Sequence, residues 1–461
     1  MNPPIYSFES IISDRSARGI ATAIGRLISS GDLPVGARLP TVREMSRQLG
    51  VSPTTVGEAW RSLADVGAIE TLGRNGTLVR PPTGPGGPRR YRRVSADSDN
   101  RGHFPIDLST GTPDSSLLPD LRPALANVSG RSLTSSYLDH PVLPELEEKL
   151  RGRWPFPPEE LTVVDGAMDA LDRIAQVVVR LGDRVVVEHP TFPPLLDLLD
   201  QIGAEVIGVE LDDEGLVVDS LTDALDRSPS ALFVQPRAQN PTGVTMSARR
   251  ARLIARAIGS SAVSDSITIV EDDHAGDIAV GTLSSIGTHL PSQTVHIRSF
   301  SKSHGPDLRL AAMGGAGEVI SRAANRRLLG PGWSSRILQA VLLELIDDEG
   351  TVATLARARD EYARRRQRFV DVISAHDVES RGTDGINLWV HVGDERSALL
   401  TLAAQGIGAA PGEPFLVNRH PDALRLTVGL LGNDDDIDRV AEAVAMAALT
   451  SRTPVRRRSQ R

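Results

Sequence analysis

Apolar residues at Ile20, Ile24, Leu27 and Ile28 recur at helical spacing and stop at Gly31, which predicts an amphipathic helix. Thr41-Val42-Arg43-Glu44 has the form of a capping box, in which hydroxyl and carboxylate each satisfy a backbone N–H. Val42, Met45 and Leu49 then form the inner face of a short helix closed by Gly50. Ser52-Pro53 supplies an N-cap and a first-turn proline, and Val56, Trp60 and Leu63 line the helix that follows. Ala68–Leu72 and Thr77–Arg80 read as short extended runs around the turn Gly73-Arg74-Asn75-Gly76. Two helices joined by a tight turn and followed by a β-ribbon describe a winged helix-turn-helix over residues 1–80.

Beyond residue 105 the pattern changes. Short, nearly continuous apolar runs (Val185–Val187, Val206–Val209, Leu232–Val234, Ile267–Val270, Val295–Ile297) alternate with amphipathic stretches such as Met246–Ile258. Strands apolar on both faces between helices predict an α/β main domain with a mostly parallel sheet over residues 105–452. Gly385–Val392 and Ala423–Gly429 read as strands of a smaller α+β lobe. The segment 81–104 is expected to be a linker. Its run Pro81–Arg93 is rich in Pro, Gly and Arg, and no helix or strand is expected to persist in it. The final residues, 453–461, form a basic tail.

Charge sharpens this division. The chain of 461 residues carries 51 Lys+Arg against 59 Asp+Glu, a net −8, which by itself does not suggest nucleic acid. Residues 1–101, however, hold 14 Arg and no Lys against 9 acidic residues, +5, leaving −13 for the remainder. A basic front on an acidic body suggests two tasks. The absence of Cys excludes disulfides, thiolate metal sites and a Cys nucleophile. No apolar run approaches the ~20 residues of a membrane span and no signal pattern opens the chain, so a cytoplasmic protein without membrane contact is expected.

Of the 51 basic residues only Lys149 and Lys302 are lysines. A retained lysine in an Arg-dominated chain points to chemistry that guanidinium cannot perform: deprotonation and Schiff-base formation. Lys302 follows the strand Val295–Ile297 in Ser299-Phe300-Ser301-Lys302, with Arg309 seven residues on; Ser299 and Arg309 can both turn toward a phosphate. Asn240-Pro241-Thr242-Gly243 follows the Leu232–Val234 strand, and Glu271-Asp272-Asp273-His274 ends the next. In an open parallel sheet ligands collect beyond the carboxyl ends of the strands, where all three motifs lie. Gly166-Ala167-Met168 stands at a strand-to-helix junction whose free N–H groups suit a phosphate. Asp272, Asp273 and His274 also permit a metal-ligand reading, although adjacent strand residues point to opposite faces. In the front module, Ser52, Thr54 and Thr55 open the second helix, Arg43 opens the first, and Arg74 sits at the wing tip, all placed for duplex DNA.

The front module resembles the GntR family of bacterial regulators through Leu39-Pro40-Thr41, Arg43, Val51-Ser52, Thr54, Val56 and Arg74, Gly76, Thr77. The body resembles fold type I, aminotransferase-class enzymes of pyridoxal 5′-phosphate over about residues 105–450. That resemblance implies that Lys302 forms the Schiff base with the cofactor, Asp272 pairs with the ring nitrogen and Asn240 bonds the ring hydroxyl. It also implies that Ser299, Arg309, Tyr137 and the N–H groups of Gly166, Ala167 and Met168 hold the phosphate, that Ser301 and His274 are further cofactor-binding residues, that Phe192 stacks on the ring, and that Arg425 grips a ligand carboxylate. His274 stands where such enzymes carry a Tyr, either preserving a hydrogen bond or altering ring electronics and turnover. The fusion resembles the MocR subfamily of GntR regulators, and its PtsJ-type members above all. This implies a homodimeric, DNA-binding regulator that senses the cofactor or an amino compound, with a link to vitamin B6 metabolism. A working aminotransferase with an accessory DNA-binding module, and a degenerate body serving only as a dimerisation scaffold, are the competing expectations.

Overall fold

The computed structural model describes residues 8–30, 32–65, 68–71, 76–79, 89–94, 104–128, 136 and 139–450. In the front module the helices Ala17–Ser30 and Val42–Leu49 both pack on the helix Pro53–Asp65. The capping box forms: Thr41 N donates to Glu44 Oε2 at 2.8 Å and Glu44 N to Thr41 Oγ1 at 3.3 Å. Gly50 closes that helix with φ +65°, a left-handed conformation in which a Cβ is strained. Ser52 Oγ accepts from Thr55 N at 3.1 Å and caps the second helix. Ile20, Ile24, Met45, Leu49, Val56, Trp60 and Leu63 are buried together, the stripes read from the sequence. Arg38–Leu39, Thr77–Val79 and Ile69–Thr71 form a three-stranded antiparallel sheet in that order, which is the wing. The turn residue Arg74 lies outside the described residues.

In the body, β1 (Glu160–Val164), β2 (Arg184–His189), β3 (Glu205–Asp212), β4 (Gly215–Leu216), β5 (Ala231–Val234), β6 (Thr268–Asp273), β7 (Thr294–Ser299) and β8 (Ala311–Gly315) make one sheet. Its order is β1-β8-β7-β6-β5-β2-β3-β4. The run β7-β6-β5-β2-β3 is parallel, and β8 lies antiparallel between β1 and β7. Strands such as β5 and β6 are buried almost throughout because helices cover both faces of the sheet. A second lobe carries a four-stranded sheet in the order Ser380–Arg381, Leu388–His391, Ala423–Leu426, Ala410–Pro411, packed against the helices Glu349–Ser374 and Asp434–Thr450. Among the described residues no helix is long and apolar enough to cross a membrane.

One expectation fails at its end. Arg89–Val94, within the segment read as unable to hold a helix, is helical. The prolines stop at Pro88, and two backbone N–H groups at the start of the helix, those of Arg90 and Tyr91, donate to the two carboxylate oxygens of Asp197, each at 2.9 Å. A carboxylate more than a hundred residues away supplies the cap that the local sequence lacks.

Candidate cofactor site and DNA interface

Three neighbouring parallel strands end at one level, and the residues just past their ends meet. Gln235 follows β5, Asp272 is the last residue but one of β6, and Ser299 ends β7. They line a cavity of about 240 Å³ together with Ala167, Met168, Phe192, Asn240, His274, Ser301, Lys302, Arg309 and Arg425. Gly166 adjoins it: with φ +101° it caps the helix Ala167–Val178, and a Cβ there would stand 2.9 Å from Arg309 Nη2. Arg309 itself has φ +47° and donates to Asp165 O at 3.2 Å, so the guanidinium lies across the start of that helix. Ser301 N donates to Ser299 Oγ at 3.3 Å and fixes that hydroxyl beside the lysine loop. Tyr137 lies outside the described residues.

The lysine is held by a histidine. Lys302 Nζ is 2.7 Å from His274 Nδ1, and His274 Nε2 is 2.9 Å from Ala238 O. A carbonyl only accepts, so Nε2 carries the proton, Nδ1 is the acceptor and the amine donates. Burial, reinforced by Lys302, holds His274 well below its ordinary value and keeps it neutral. Burial, with Arg425 nearby, pushes the Lys302 amine down to about 7. At that value part of the amine is uncharged near neutral pH. Lys149, by contrast, forms an ion pair with Asp347 on the outer face.

Asp272 is buried, which pushes it up to about 6; its Oδ2 accepts from Gln235 Nε2 at 2.8 Å while its Oδ1 has no protein partner. Asn240 is positioned by its backbone N–H, which donates to Gln235 Oε1 at 2.8 Å, and its side-chain Oδ1 is buried and unpartnered. A buried acceptor without a donor is costly, so both oxygens suit a donor-bearing ligand. Asp273 instead takes both of its bonds from Arg237, at 3.1 and 2.6 Å. The metal reading of Asp272–His274 therefore fails, and no group of three His, Asp or Glu side chains among the described residues can hold a metal ion.

Across the cavity Arg425 projects from the small lobe, its Nη2 donating to Ser109 O and its guanidinium 5.6 Å from the Phe415 ring centre. It is 3% exposed and its Nε lacks a partner. A Cβ on Gly111 (φ +68°) would lie 2.4 Å from Arg425 Nη1, so only glycine leaves the arginine its place. Gln235, Gly111 and Tyr91 line the cavity but escaped the sequence reading. Gln235 had a signal, as the residue ending the strand next to that of Asp272; the other two had none.

In the front module Arg43, Ser52 and Thr54 are exposed and Thr55 is half-buried. Ser52 and Thr55 hydroxyls lie 2.8 Å apart, both engaged in the cap. Arg38, also exposed, lays its guanidinium beside Gly76 of the wing.

Residues 105–444 match the aminotransferase class I and II family, and residues 16–79 match the bacterial regulatory proteins of the gntR family. Over 443 residues the chain is 31% identical to the vitamin B6 salvage pathway transcriptional repressor PtsJ of Salmonella typhimurium, covering 95% of this chain and 99% of that protein. This chain is a MocR-type regulator of the GntR family. The namesake of that group, the probable rhizopine catabolism regulatory protein MocR of Rhizobium meliloti, is 28% identical over 388 residues, covering 76% of this chain and 75% of its own. Among solved structures, a Pyrococcus horikoshii kynurenine aminotransferase superposes on 79% of this regulator and 95% of its own chain, with a TM-score of 0.70 at 22% identity. The fold of the body is thus fold type I. Pyridoxal 5′-phosphate is the cofactor of that aminotransferase family, and the cavity of this MocR-type regulator fits it: an orphaned carboxylate oxygen, an enclosed low-pKa amine and a helix N-terminus cradle stand within one site.

Proposed function

We propose that this chain is a homodimeric, cytoplasmic transcriptional regulator that binds operator DNA through residues 1–80. In this reading it senses pyridoxal 5′-phosphate, or an amino compound presented to it, and serves vitamin B6 metabolism. The observation that carries the reading is the contact of Lys302 Nζ with the acceptor nitrogen of His274, in the same cavity as the unpartnered Asp272 Oδ1. Bound there, the cofactor would supply an electrophilic carbonyl and an electron-withdrawing ring.

The chain's own residues would do the rest. Lys302 would present its free amine to that carbonyl, with one N–H held by His274 Nδ1. Asp272 Oδ1 would accept from the ring N–H, and Asn240 would meet the ring hydroxyl. Ser299, Ser301, Arg309 and the N–H groups of Gly166–Met168 would take the phosphate, and Phe192 would pack against the ring. Arg425, pushed down by burial to about 10 and still cationic, waits for a carboxylate. Glu188, pushed up to about 8 by burial, accepts from Gln235 N at 3.1 Å, which steadies the residue that positions both Asp272 and Asn240.

The experiment is an absorbance titration of the purified protein with pyridoxal 5′-phosphate, followed by gel shifts on operator fragments at several salt concentrations. A band from lysine-bound cofactor, and a change of DNA affinity when it forms, is the expected result. Full and repeated turnover of amino acids with no effect on DNA would favour the enzyme instead. Arg43→Ala should weaken binding across sequences and flatten the salt slope by about one unit; wild-type behaviour at every salt concentration would remove Arg43 from the interface.

A further inference from the structure

The helix Arg89–Val94 does more than join two modules. Tyr91 and Val94 are part of the wall of the cofactor cavity. On one side the helix is fastened to the body helix Pro193–Ile202: Asp197 caps it through both carboxylate oxygens, and Asp197 is 6% exposed. The N-cap of that body helix is Phe192, itself a cavity residue. On the other side Arg90 Nη1 donates to Leu416 O at 2.7 Å, Arg93 pairs with Glu413 at 2.5 Å, and Val94 packs on the cluster of Trp389 and Phe415. Phe415 lies against Arg425. The helix therefore bridges the two flanks of the cavity. Only nine residues, 80–88, separate it from the last wing strand, a span of at most about 35 Å.

We propose that this helix is a latch: cofactor in the cavity tightens its docking through Tyr91 and Val94, and the docked helix sets how far the DNA-binding module can stray. The inference rests on the cofactor reading above. An occupant adds contacts to Tyr91 and Val94 and holds Phe192 in place at the head of the helix that carries Asp197. Binding and docking are then two sides of one coupling. Whatever factor the cofactor contributes to docking, docking returns to cofactor affinity.

The reciprocity gives the test. The full chain is digested with trypsin, with and without pyridoxal 5′-phosphate, and cuts after Arg90, Arg92 and Arg93 are followed by mass spectrometry; the same samples are titrated by absorbance. In the wild type the cofactor should slow these cuts several-fold. Asp197→Asn keeps the shape of the cap but weakens it, and should speed the cuts and weaken cofactor binding by a comparable factor. Tyr91→Ala, a change at a half-exposed residue that the core does not need, should lose most of the cofactor's protective effect while the circular dichroism spectrum stays unchanged. If the band forms normally, yet cofactor leaves the cuts unchanged and both variants bind it like wild type, the latch is overturned and the cofactor reading stands. If the wild type forms no band, the cofactor reading fails and the coupling falls with it; that result is read from absorbance alone.

Discussion

The chemistry of the site is decided by how single residues are partnered, and Lys302 shows this most sharply. Arginine at this place would keep charge and bulk but could not form an imine, so borohydride reduction should fix the cofactor to Lys302 alone and Lys302→Arg should lose the lysine-bound band. Mass spectrometry that finds the adduct on Lys149 would refute the assignment. The same residue also costs stability. Its amine titrates near 7 in the folded chain against an ordinary 10.5. Below pH 7 both folded and unfolded states are protonated and the burial penalty is complete. Between 7 and 10.5 only the unfolded state holds the proton, so the penalty fades as pH rises. Lys302→Met should therefore stabilise the cofactor-free protein by on the order of a few kcal/mol near pH 6, with the advantage shrinking toward pH 10. Chemical denaturation at the two pH values reads it; an equal difference at both would mean that the gain is packing and not charge.

At the scale of elements, the cradle at Gly166 joins backbone geometry to ligand binding. The strand β1 ends at Val164 and the helix begins at Ala167, leaving two residues to reverse the chain. Gly166 does so at φ +101°, with Arg309 packed where a Cβ would go. Gly166→Ala should shift Arg309 and cost at least about tenfold in cofactor affinity, about 1.4 kcal/mol, while the fold is retained. Unchanged affinity in a fluorescence titration would show that the junction does not hold the phosphate. This junction was legible because a strand, a glycine and a helix follow each other in a few residues. The same locality made the capping box Thr41–Glu44 and the core stripe Val56, Trp60, Leu63 readable. The linker helix was not legible. Its cap is Asp197 and its anchors are Glu413 and Leu416, none of them near it in sequence, and the Pro/Gly run before it argued for the opposite outcome. Gly111 escaped for the same reason: it is required by Arg425, more than three hundred residues on. Local pattern reports what neighbours in the chain impose, and these positions answer to distant partners.

For the whole molecule, the order of strands made the location of the site readable before any side chain was placed. β5, β6 and β7 lie side by side and parallel, so motifs after each were bound to converge. What the order could not convey is that the small lobe completes the cavity by sending Arg425 across from a strand paired with Leu388–His391 and Ala410–Pro411. The molecule thus holds two kinds of core: the cluster of Ile20, Met45 and Trp60 in the front module, and the larger clusters of the body that surround the cofactor site. A ligand stabilises only the cooperative unit whose native state it binds, by RT ln(1 + [L]/Kd), or about 2.7 kcal/mol at a hundredfold excess over Kd. Calorimetry of the full chain should accordingly show a small transition from the front module and a large one from the body. Saturating pyridoxal 5′-phosphate should raise the large transition by several degrees. The small one should move only as far as the latch couples the modules, and that residual shift should vanish in Asp197→Asn. A single transition that rises as a whole would instead mean that the winged module and the body unfold as one unit, and that the nine residues between them are not the boundary of independent stability.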